Sequence, residues 1–280
     1  MDFVHILILA LLQALTEFLP ISSSGHLVLA SELFGWEYQG LSFDLALHFG
    51  TLLAVMLYFR RDVWELVRET LAWRPGQRLS PTQRLAFGIA LATIPAGLVG
   101  LALGDAGAML LRHPLTIALN LIVFGVLLWL ADRYSRRHPP ATQAQLEGPA
   151  GELFTGLSMR RAVLIGCAQA LALMPGVSRS GATMTAGMFL GLDRARAARY
   201  SFLLSIPVMV LATAHAVWQT RHALDDGIGD MLLGAAIAAL AGLFVIHFFL
   251  GVIRRIGTAP FAIYRVLLGV AVLAWYFLLR

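Results

Sequence analysis

The sequence predicts an all-α polytopic membrane protein: an inverted-topology repeat with six full spans and two re-entrant helical hairpins. Three observations predict this fold. The 280 residues are 59% hydrophobic and only 13% charged, with a mean hydropathy of +0.76, whereas soluble domains carry about 25% charged residues. Six apolar stretches are long enough to cross a bilayer. Shorter apolar segments in each half are interrupted by polar turns, and the two turns resemble each other.

The first apolar segment, Phe3–Leu19, is interpreted as one arm of a re-entrant hairpin. A helix of this length reaches roughly 25 Å, which is less than the roughly 30 Å hydrocarbon core. Pro20 and the turn Ser22-Ser23-Ser24-Gly25 then break the helix. Because Asp2 stands where a secretory signal carries basic residues, and no small-residue cleavage site follows, we expect the segment to stay in the mature protein.

Later segments supply the full spans and the second hairpin. The predicted spans are Phe43–Phe59, Leu85–Leu103, Pro114–Ala131, Tyr200–Trp218, Met231–Leu250 and Pro260–Leu279. Two shorter helices, Ala162–Met174 and Thr183–Leu192, flank the polar break Pro175–Gly181. Non-helical backbone at membrane depth is tolerated only where protein or a wet cavity surrounds it. We therefore expect both breaks to line a cavity.

The basic residues, all of them arginine, predict the orientation. Alternating spans put sixteen on one side of the membrane: Arg60, Arg61, Arg68, Arg74, Arg78, Arg84, Arg133, Arg136, Arg137, Arg160, Arg161, Arg194, Arg196, Arg199, Arg254 and Arg255. Three fall on the other side: Arg112, Arg221 and Arg280. The richer side is cytoplasmic by the positive-inside rule. On this path the first hairpin enters from outside and the second from the cytoplasm.

An internal repeat supports the same topology. At an offset of 156 residues, Gln13-Ala14-Leu15 matches Gln169-Ala170-Leu171, and Ser22-Ser23-Ser24-Gly25 matches Ser178-Arg179-Ser180-Gly181. We predict one membrane domain: a first repeat over residues 1–131, a cytoplasmic linker over 132–159 and a second repeat over 160–280. Such repeats are typical of transporters with sites near the bilayer midplane.

Ionisable groups inside apolar segments are functional candidates by default; here they are Glu17, Asp44, Arg179 and Arg265. Gln13 and Glu17 are four residues apart and share a helix face. Glu17 also precedes the hydroxyl-rich turn that ends in His26. This set suits acid/base or nucleophilic catalysis, or a divalent cation. The alternative is that the serines cap a helix and Glu17 reaches the interface.

The second break has the residues of a phosphate site. Arg179 lies between Ser178 and Ser180 at the start of a helix, and Thr183 follows one turn later. Helix N-terminal amides, hydroxyls and a guanidinium are the donors that phosphate oxygens require.

The repeat is chemically asymmetric. Glu17 and His26 correspond to Leu173 and Ala182, and Arg179 corresponds to Ser23. This asymmetry favours one composite site, as in an enzyme, over two equivalent transport gates.

These motifs resemble those of a known family, the bacterial undecaprenyl-diphosphate phosphatases of the bacitracin-resistance type. The residues Gln13–Glu17 resemble its E/Q-x-x-x-E element, and Phe18–His26 resembles the continuation. Pro175–Thr183 matches the P-G-x-S-R-S-x-x-T element in full, and the resemblance extends to Pro260–Arg265. It implies removal of the terminal phosphate from undecaprenyl diphosphate in the bacterial inner membrane, at a site facing the periplasm. It also implies a divalent cation, Mg²⁺ or Ca²⁺, and a product used in peptidoglycan synthesis.

Roles for the site residues are hypotheses at this point. Arg179 would hold the phosphoryl oxygens; the other expected phosphate-binding residues are Ser22, Ser178, Ser180, Thr183 and Arg265. Glu17, helped by Gln13, would bind the metal or accept a proton. Ser23 is the preferred nucleophile, with His26 exchanging protons, but attack by His26 or by an activated water stays open.

Two further groups have competing interpretations. Asp44 and His48, four residues apart, would bind or support the metal, or form a structural hydrogen bond. Arg265 would contact phosphate, pair with Asp44 or cap backbone carbonyls. His5, His215 and His247 are lone imidazoles in apolar segments and are expected to be core groups.

Other functions are weighed against this one. A lipid or solute transporter is the main alternative. A phosphatidic-acid phosphatase of type 2 is disfavoured because the chain has no lysine and lacks that family's downstream histidine and aspartate. Nucleic-acid binding is disfavoured because the arginines follow membrane sidedness. The glycines between Gly234 and Gly251 allow close packing within or between protomers, so a homodimer stays open.

Overall fold

A computed structural model describes residues 2–23, 25–27, 41–110, 113–137, 141–142, 145–146, 148–220 and 227–278. These residues form helices and turns with no strand among them, which confirms the all-α prediction. The helices are α1 (Phe3–Phe18), α2 (Leu41–Tyr58), α3 (Arg60–Ala72), α4 (Pro81–Leu110), α5 (Pro114–Ser135), α6 (Ala150–Leu153), α7 (Met159–Leu171), α8 (Arg179–Phe189), α9 (Arg194–Thr220), α10 (Ile228–Ile256) and α11 (Ala259–Leu278). The residues named above that lie outside the described ranges are Ser24, Arg112, Arg221, Leu279 and Arg280.

The described helices account for the predicted spans. Five stretches are long and apolar enough to cross a membrane: Pro81–Gly104, α5, Arg194–His215, α10 and α11. Helices α2 and α3 are bent by 79° and together make up to a sixth. The chain is therefore a multi-pass membrane protein. The re-entrant path of the hairpins, the inverted repeat and the domain boundaries stay predictions.

Helix α3 has the character of a helix that lies along the membrane surface. It turns away from α2, and its side chains of Trp64, Val67 and Leu71, spaced three and four residues apart, are all exposed. Arg61 and Arg68 are exposed on the same short helix. An exposed apolar stripe beside arginines is typical of helices at the level of the lipid headgroups.

Glycines allow several helix pairs to approach closely. A Cβ added at Gly50 of α2 would lie 2.3 Å from the carbonyl oxygen of Ala235 in α10, and one at Gly166 of α7 would lie 2.1 Å from that of Ala92 in α4. Helix α1 of the first predicted repeat packs on α10 of the second, and α7 of the second packs on α4 of the first. This reciprocal packing is consistent with the predicted repeat. Since Gly242 of α10 also faces α1 and α2, these glycines are used within one protomer.

A buried ion pair ties together the ends of three helices. Asp132, near the end of α5, is fully buried and lies 2.7 Å from Arg194 at the start of α9. The same carboxylate accepts hydrogen bonds from the backbone N and the hydroxyl of Thr258, between α10 and α11, at 2.9 and 3.0 Å. Buried charges require such partners, and this pairing fixes α11, which carries Tyr264 and Arg265, against α5.

Candidate active site

The two polar breaks share an unusual backbone conformation. Ser22 and Ser178 have φ angles of +79° and +70°, the only positive values at non-glycine residues in the described part of the chain. Each side chain caps the turn that follows: Ser22 Oγ accepts from Gly25 N at 3.3 Å, and Ser178 Oγ accepts from Gly181 N at 3.1 Å. Positive φ at a residue with a side chain costs energy and is concentrated at functional sites.

Glu17 joins the two hairpins. It is buried near the end of α1, and its Oε1 accepts a hydrogen bond from Arg179 Nη2 at 2.8 Å. Its Oε2 accepts from Ser23 Oγ at 2.8 Å and from Gln13 Nε2 at 3.1 Å. The carboxylate thus lies between a hydroxyl of its own hairpin and a guanidinium of the other. The structure brings Gln13, Glu17, Ser23 and Arg179 together.

His26 lies beside this group but bonds elsewhere. Its Nδ1 is 2.7 Å from the carbonyl oxygen of Ser22, and its Nε2 is 2.7 Å from the hydroxyl of Tyr264. Since a carbonyl oxygen can only accept, Nδ1 carries the hydrogen and Nε2 accepts from Tyr264. The two rings also stack, with an interplanar angle of 8°. The proton acceptor that Ser23 contacts is therefore Glu17 rather than His26.

His48 reaches Glu17 from α2. Its Nδ1 donates to the backbone carbonyl of Asp44 at 2.8 Å, which leaves Nε2 as the atom facing the site. Nε2 is 3.7 Å from Glu17 Oε2. A hydrogen bond between Asp44 and His48 is thus present, and it runs from the ring to the backbone. His48 can add positive charge beside Glu17 when protonated.

The hydroxyls of the second break bond mainly to the protein. Gly181 N donates to Ser178 Oγ, Ser178 and Ser180 Oγ are 3.2 Å apart, and Ser180 Oγ donates to the carbonyl of Leu19 at 3.0 Å. All three of Ser178, Ser180 and Thr183 are buried. This chain of bonds attaches the second break to the end of α1. Phosphate binding by these hydroxyls stays a prediction.

Thr183 faces helix α9. Its Oγ1 donates to the carbonyl of Arg179 at 2.8 Å and is 2.7 Å from Ser201 Oγ. Arg179 Nη1 in turn donates to the carbonyl of Ser201 at 3.4 Å. Ser201 therefore holds both Thr183 and Arg179.

Arg265 spans the two breaks. Its side chain is fully buried, and Nη1 donates to the carbonyl of Pro20 at 3.1 Å. Nη2 donates to the carbonyls of Gly176 and Val177, each at 2.8 Å. Of the interpretations left open by the sequence, the contacts match the capping of backbone carbonyls. Contact with substrate phosphate stays a prediction.

Three contributors were missed by the sequence analysis: Tyr264, Ser201 and Asn120. Asn120 Nδ2 donates to the carbonyl of Pro175 at 2.8 Å and so holds the second break from α5. A signal did exist for Asn120, because a lone amide in an apolar span requires a partner. The signal for Tyr264 was its place in Pro260–Arg265, the last segment that resembles the family, although tyrosines near span ends are common.

Ligands for a divalent cation are few but suitable. No group of three His, Cys, Asp or Glu residues that could hold a metal occurs within the described ranges. Gln13 Oε1 is buried and has no hydrogen-bond partner among the described residues, and it lies on the side chain that bonds Glu17. Mg²⁺ is commonly bound by one or two carboxylates together with substrate phosphates and water. Glu17 and Gln13 fit that pattern.

Comparisons with known proteins show which family the chain belongs to. Residues 6–271 match the family described as bacitracin resistance protein BacA. The chain is 45% identical over 280 residues to undecaprenyl-diphosphatase 2 of Stutzerimonas stutzeri (strain A1501), covering 99% of both chains. It is 47% identical over 273 residues to an undecaprenyl-diphosphatase of Teredinibacter turnerae (strain ATCC 39867 / T7901), covering 96% of this chain and 98% of the relative. With matches of this extent to both, the chain belongs to the bacitracin resistance protein BacA family.

Proposed function

We propose that the chain hydrolyses undecaprenyl diphosphate to undecaprenyl phosphate and inorganic phosphate, and so recycles the lipid carrier of cell-wall polymer synthesis. One observation carries the proposal: the Glu17 carboxylate bonds both Ser23 and Arg179, which come from different hairpins. A nucleophile, its base and an oxyanion-binding cation are the parts that phosphoryl transfer requires. Family membership and the names of the relatives support the same substrate.

Ser23 acts as the nucleophile in this mechanism. Its Oγ attacks the terminal phosphorus while Glu17 Oε2, at 2.8 Å, accepts the hydroxyl proton. The bond between the terminal phosphorus and the bridging oxygen breaks, and that oxygen leaves on undecaprenyl phosphate. Water then attacks the phosphorus of the seryl phosphate, the bond from phosphorus to Ser23 Oγ breaks, and Ser23 Oγ takes the proton back from Glu17 as inorganic phosphate is released. The alternative nucleophiles are His26 and a water molecule that Glu17 activates.

Arg179 stabilises the transferred group. In the structure its guanidinium is bonded to Glu17 and is largely buried. As Glu17 takes up a proton its attraction for Arg179 weakens, so the guanidinium becomes available to the phosphoryl oxygens as their charge develops. Arg265 holds the carbonyls of both breaks, and so positions Ser22 and Ser178.

Glu17 and Gln13 would hold a divalent cation, Mg²⁺ or Ca²⁺. The ion would neutralise charge on the diphosphate oxygens. His48 Nε2 lies 3.7 Å from Glu17 Oε2, the same oxygen that Gln13 Nε2 contacts.

The proposed location is the bacterial inner membrane, with the site facing the periplasm. The arginine distribution supports this orientation, because the first hairpin then opens to the outside. A homodimer is compatible with this arrangement, since the contacts of the site described above are made within one chain.

The test is release of inorganic phosphate from undecaprenyl diphosphate by the purified protein in detergent, where no gradient can drive transport. We expect release that stops with a chelator and in an Arg179→Ala variant, and that persists in an Arg133→Ala control at the exposed end of α5. A folded protein that releases no phosphate would favour the transporter alternative.

A further inference from the structure

A basic cavity lies at the end of α2 that is remote from His48. It has a volume of about 610 Å³ and is lined by residues that include Tyr58, Arg60, Arg61, Arg199, His247 and Arg254. Ten residues of α2 separate His48, which contacts Glu17, from Tyr58, so these two side chains belong to helix positions roughly 15 Å apart. The volume lies within the range of small-molecule sites.

The described lining of the cavity has more positive than negative side chains. It includes four arginines and one acidic residue, Asp62. Both carboxylate oxygens of Asp62 accept from Arg199 Nη2, at 2.8 and 3.0 Å. Among the described residues no carboxylate pairs with Arg60 or Arg61, and Arg199 Nε, on a side chain more than nine-tenths buried, has no hydrogen-bond partner. The guanidinium group of arginine matches the geometry of phosphate and carboxylate groups.

One face of α10 leads from this cavity along the membrane-facing surface. Leu240, Phe244, His247, Gly251 and Arg254 are spaced four and three residues apart and are all exposed. Such spacing puts them in one row. The row is apolar toward the middle of the helix and basic at its end, and a Cβ added at Gly251 would meet nothing within 4 Å. This polarity matches a lipid, with a hydrocarbon tail and an anionic head.

Helix α3 places the cavity at headgroup level. The cavity lies at the corner between α2 and α3, and α3 has the exposed Trp64, Val67 and Leu71 of a helix at the membrane surface. Basic pockets between membrane helices at this level bind lipid headgroups. We propose that the cavity binds the phosphate headgroup of an anionic phospholipid, whose tail lies along Leu240 and Phe244 of α10.

The test is binding of tail-labelled fluorescent phosphatidylglycerol to the full-length protein in a neutral detergent, followed by anisotropy. The test variant is Arg61→Gln with Arg254→Gln. The matched control is Arg68→Gln with Arg255→Gln, which removes the same charge from exposed positions on the same helices, away from the cavity. The Arg179→Ala variant lacks the guanidinium of the catalytic site, and it checks that the labelled lipid does not bind there. An Arg61→Lys with Arg254→Lys protein keeps the charge and checks that loss of binding is not loss of folding.

We expect saturable binding that the test pair weakens about thirtyfold. Each arginine near an anionic headgroup contributes about 1 kcal/mol to binding, and the loss of two such contributions corresponds to about thirtyfold in the dissociation constant. The control pair, the lysine pair and Arg179→Ala should bind nearly as wild type. Unlabelled phosphatidylglycerol should compete, whereas phosphatidylcholine and millimolar inorganic phosphate should not. The proposal would be overturned if binding were not saturable, or if both glutamine pairs lost binding equally. Loss of binding in Arg179→Ala or in the lysine pair would also overturn it. So would effective competition by phosphatidylcholine or by inorganic phosphate.

Discussion

Glu17 and Arg179 are 162 positions apart in the chain, yet Glu17 Oε1 and Arg179 Nη2 are 2.8 Å apart in the structure. Both side chains are largely buried. A buried carboxylate and guanidinium each depend on the other, because removal of one leaves an unpaired charge in a medium of low dielectric. This pair therefore fixes the relation between the two hairpins.

Replacement of Ser23 tests its assignment as nucleophile. We expect Ser23→Ala to lower the turnover number about a thousandfold or more, because neither Glu17 nor Arg179 supplies a substitute hydroxyl. Ser205→Ala is the control: its hydroxyl is buried and, among the described residues, donates to the carbonyl of Phe202 away from the site. The measurement is phosphate release under saturating substrate. Unimpaired turnover in Ser23→Ala would transfer the role to His26 or to water.

Replacement of Arg265 tests its role in holding both breaks. Arg265→Lys keeps a positive charge but cannot reach the carbonyls of Pro20, Gly176 and Val177 together. We expect a loss of about 1–3 kcal/mol in unfolding free energy, from buried carbonyls left unpaired, and a fall in activity. Thermal unfolding would measure it, with the exposed Arg255→Lys as control. An Arg265→Lys protein of unchanged stability with a raised KM alone would instead support direct contact with phosphate.

The hydrogen bond from Tyr264 to His26 predicts a non-additive pair. Tyr264→Phe removes only the hydroxyl that bonds His26 Nε2, and we expect turnover to fall about three- to tenfold, the value of one such bond. In a His26→Ala background the same change should have little further effect. If the two losses multiply, His26 and Tyr264 act independently.

Gly166 tests the close approach of α7 and α4. Alanine normally stabilises a helix relative to glycine, but at Gly166 its Cβ would lie 2.1 Å from the carbonyl oxygen of Ala92. We expect Gly166→Ala to lower the unfolding free energy by about 1–3 kcal/mol through overpacking. Gly97→Ala in α4, where a Cβ meets nothing within 4 Å, should be neutral or stabilising in the same denaturation assay.

Much of the fold could be predicted from the sequence because membrane spans require long apolar runs and their breaks require polar turns. The link between Glu17 and Arg179 was also predictable, because the repeat put the acidic and basic groups in equivalent breaks. The bend between α2 and α3 was not predictable. The residues of α3 are rich in charge, as in an ordinary loop, so no feature of the sequence indicated that a helix follows α2.

Contacts that depend on helix rotation could not be predicted. Which side chains of α11 face the breaks is decided by packing on α5, so Tyr264 was missed and the contacts of Arg265 stayed open. The same reason explains a wrong prediction: His215 and His247 were expected in the core, but both are exposed. Apolar neighbours in the sequence do not distinguish a core face from a membrane-facing one.

The most direct test of a single composite site is a double-mutant comparison of phosphate release from undecaprenyl diphosphate. It requires wild type, Ser23→Ala from the first hairpin, Arg179→Ala from the second, and the double variant, each checked for folding by thermal unfolding. Residues that act as one unit are not additive, so the account predicts that the double variant is no slower than the slower single variant. Losses that multiply, or single variants that each keep about half the activity, would show that the two hairpins work as separate sites.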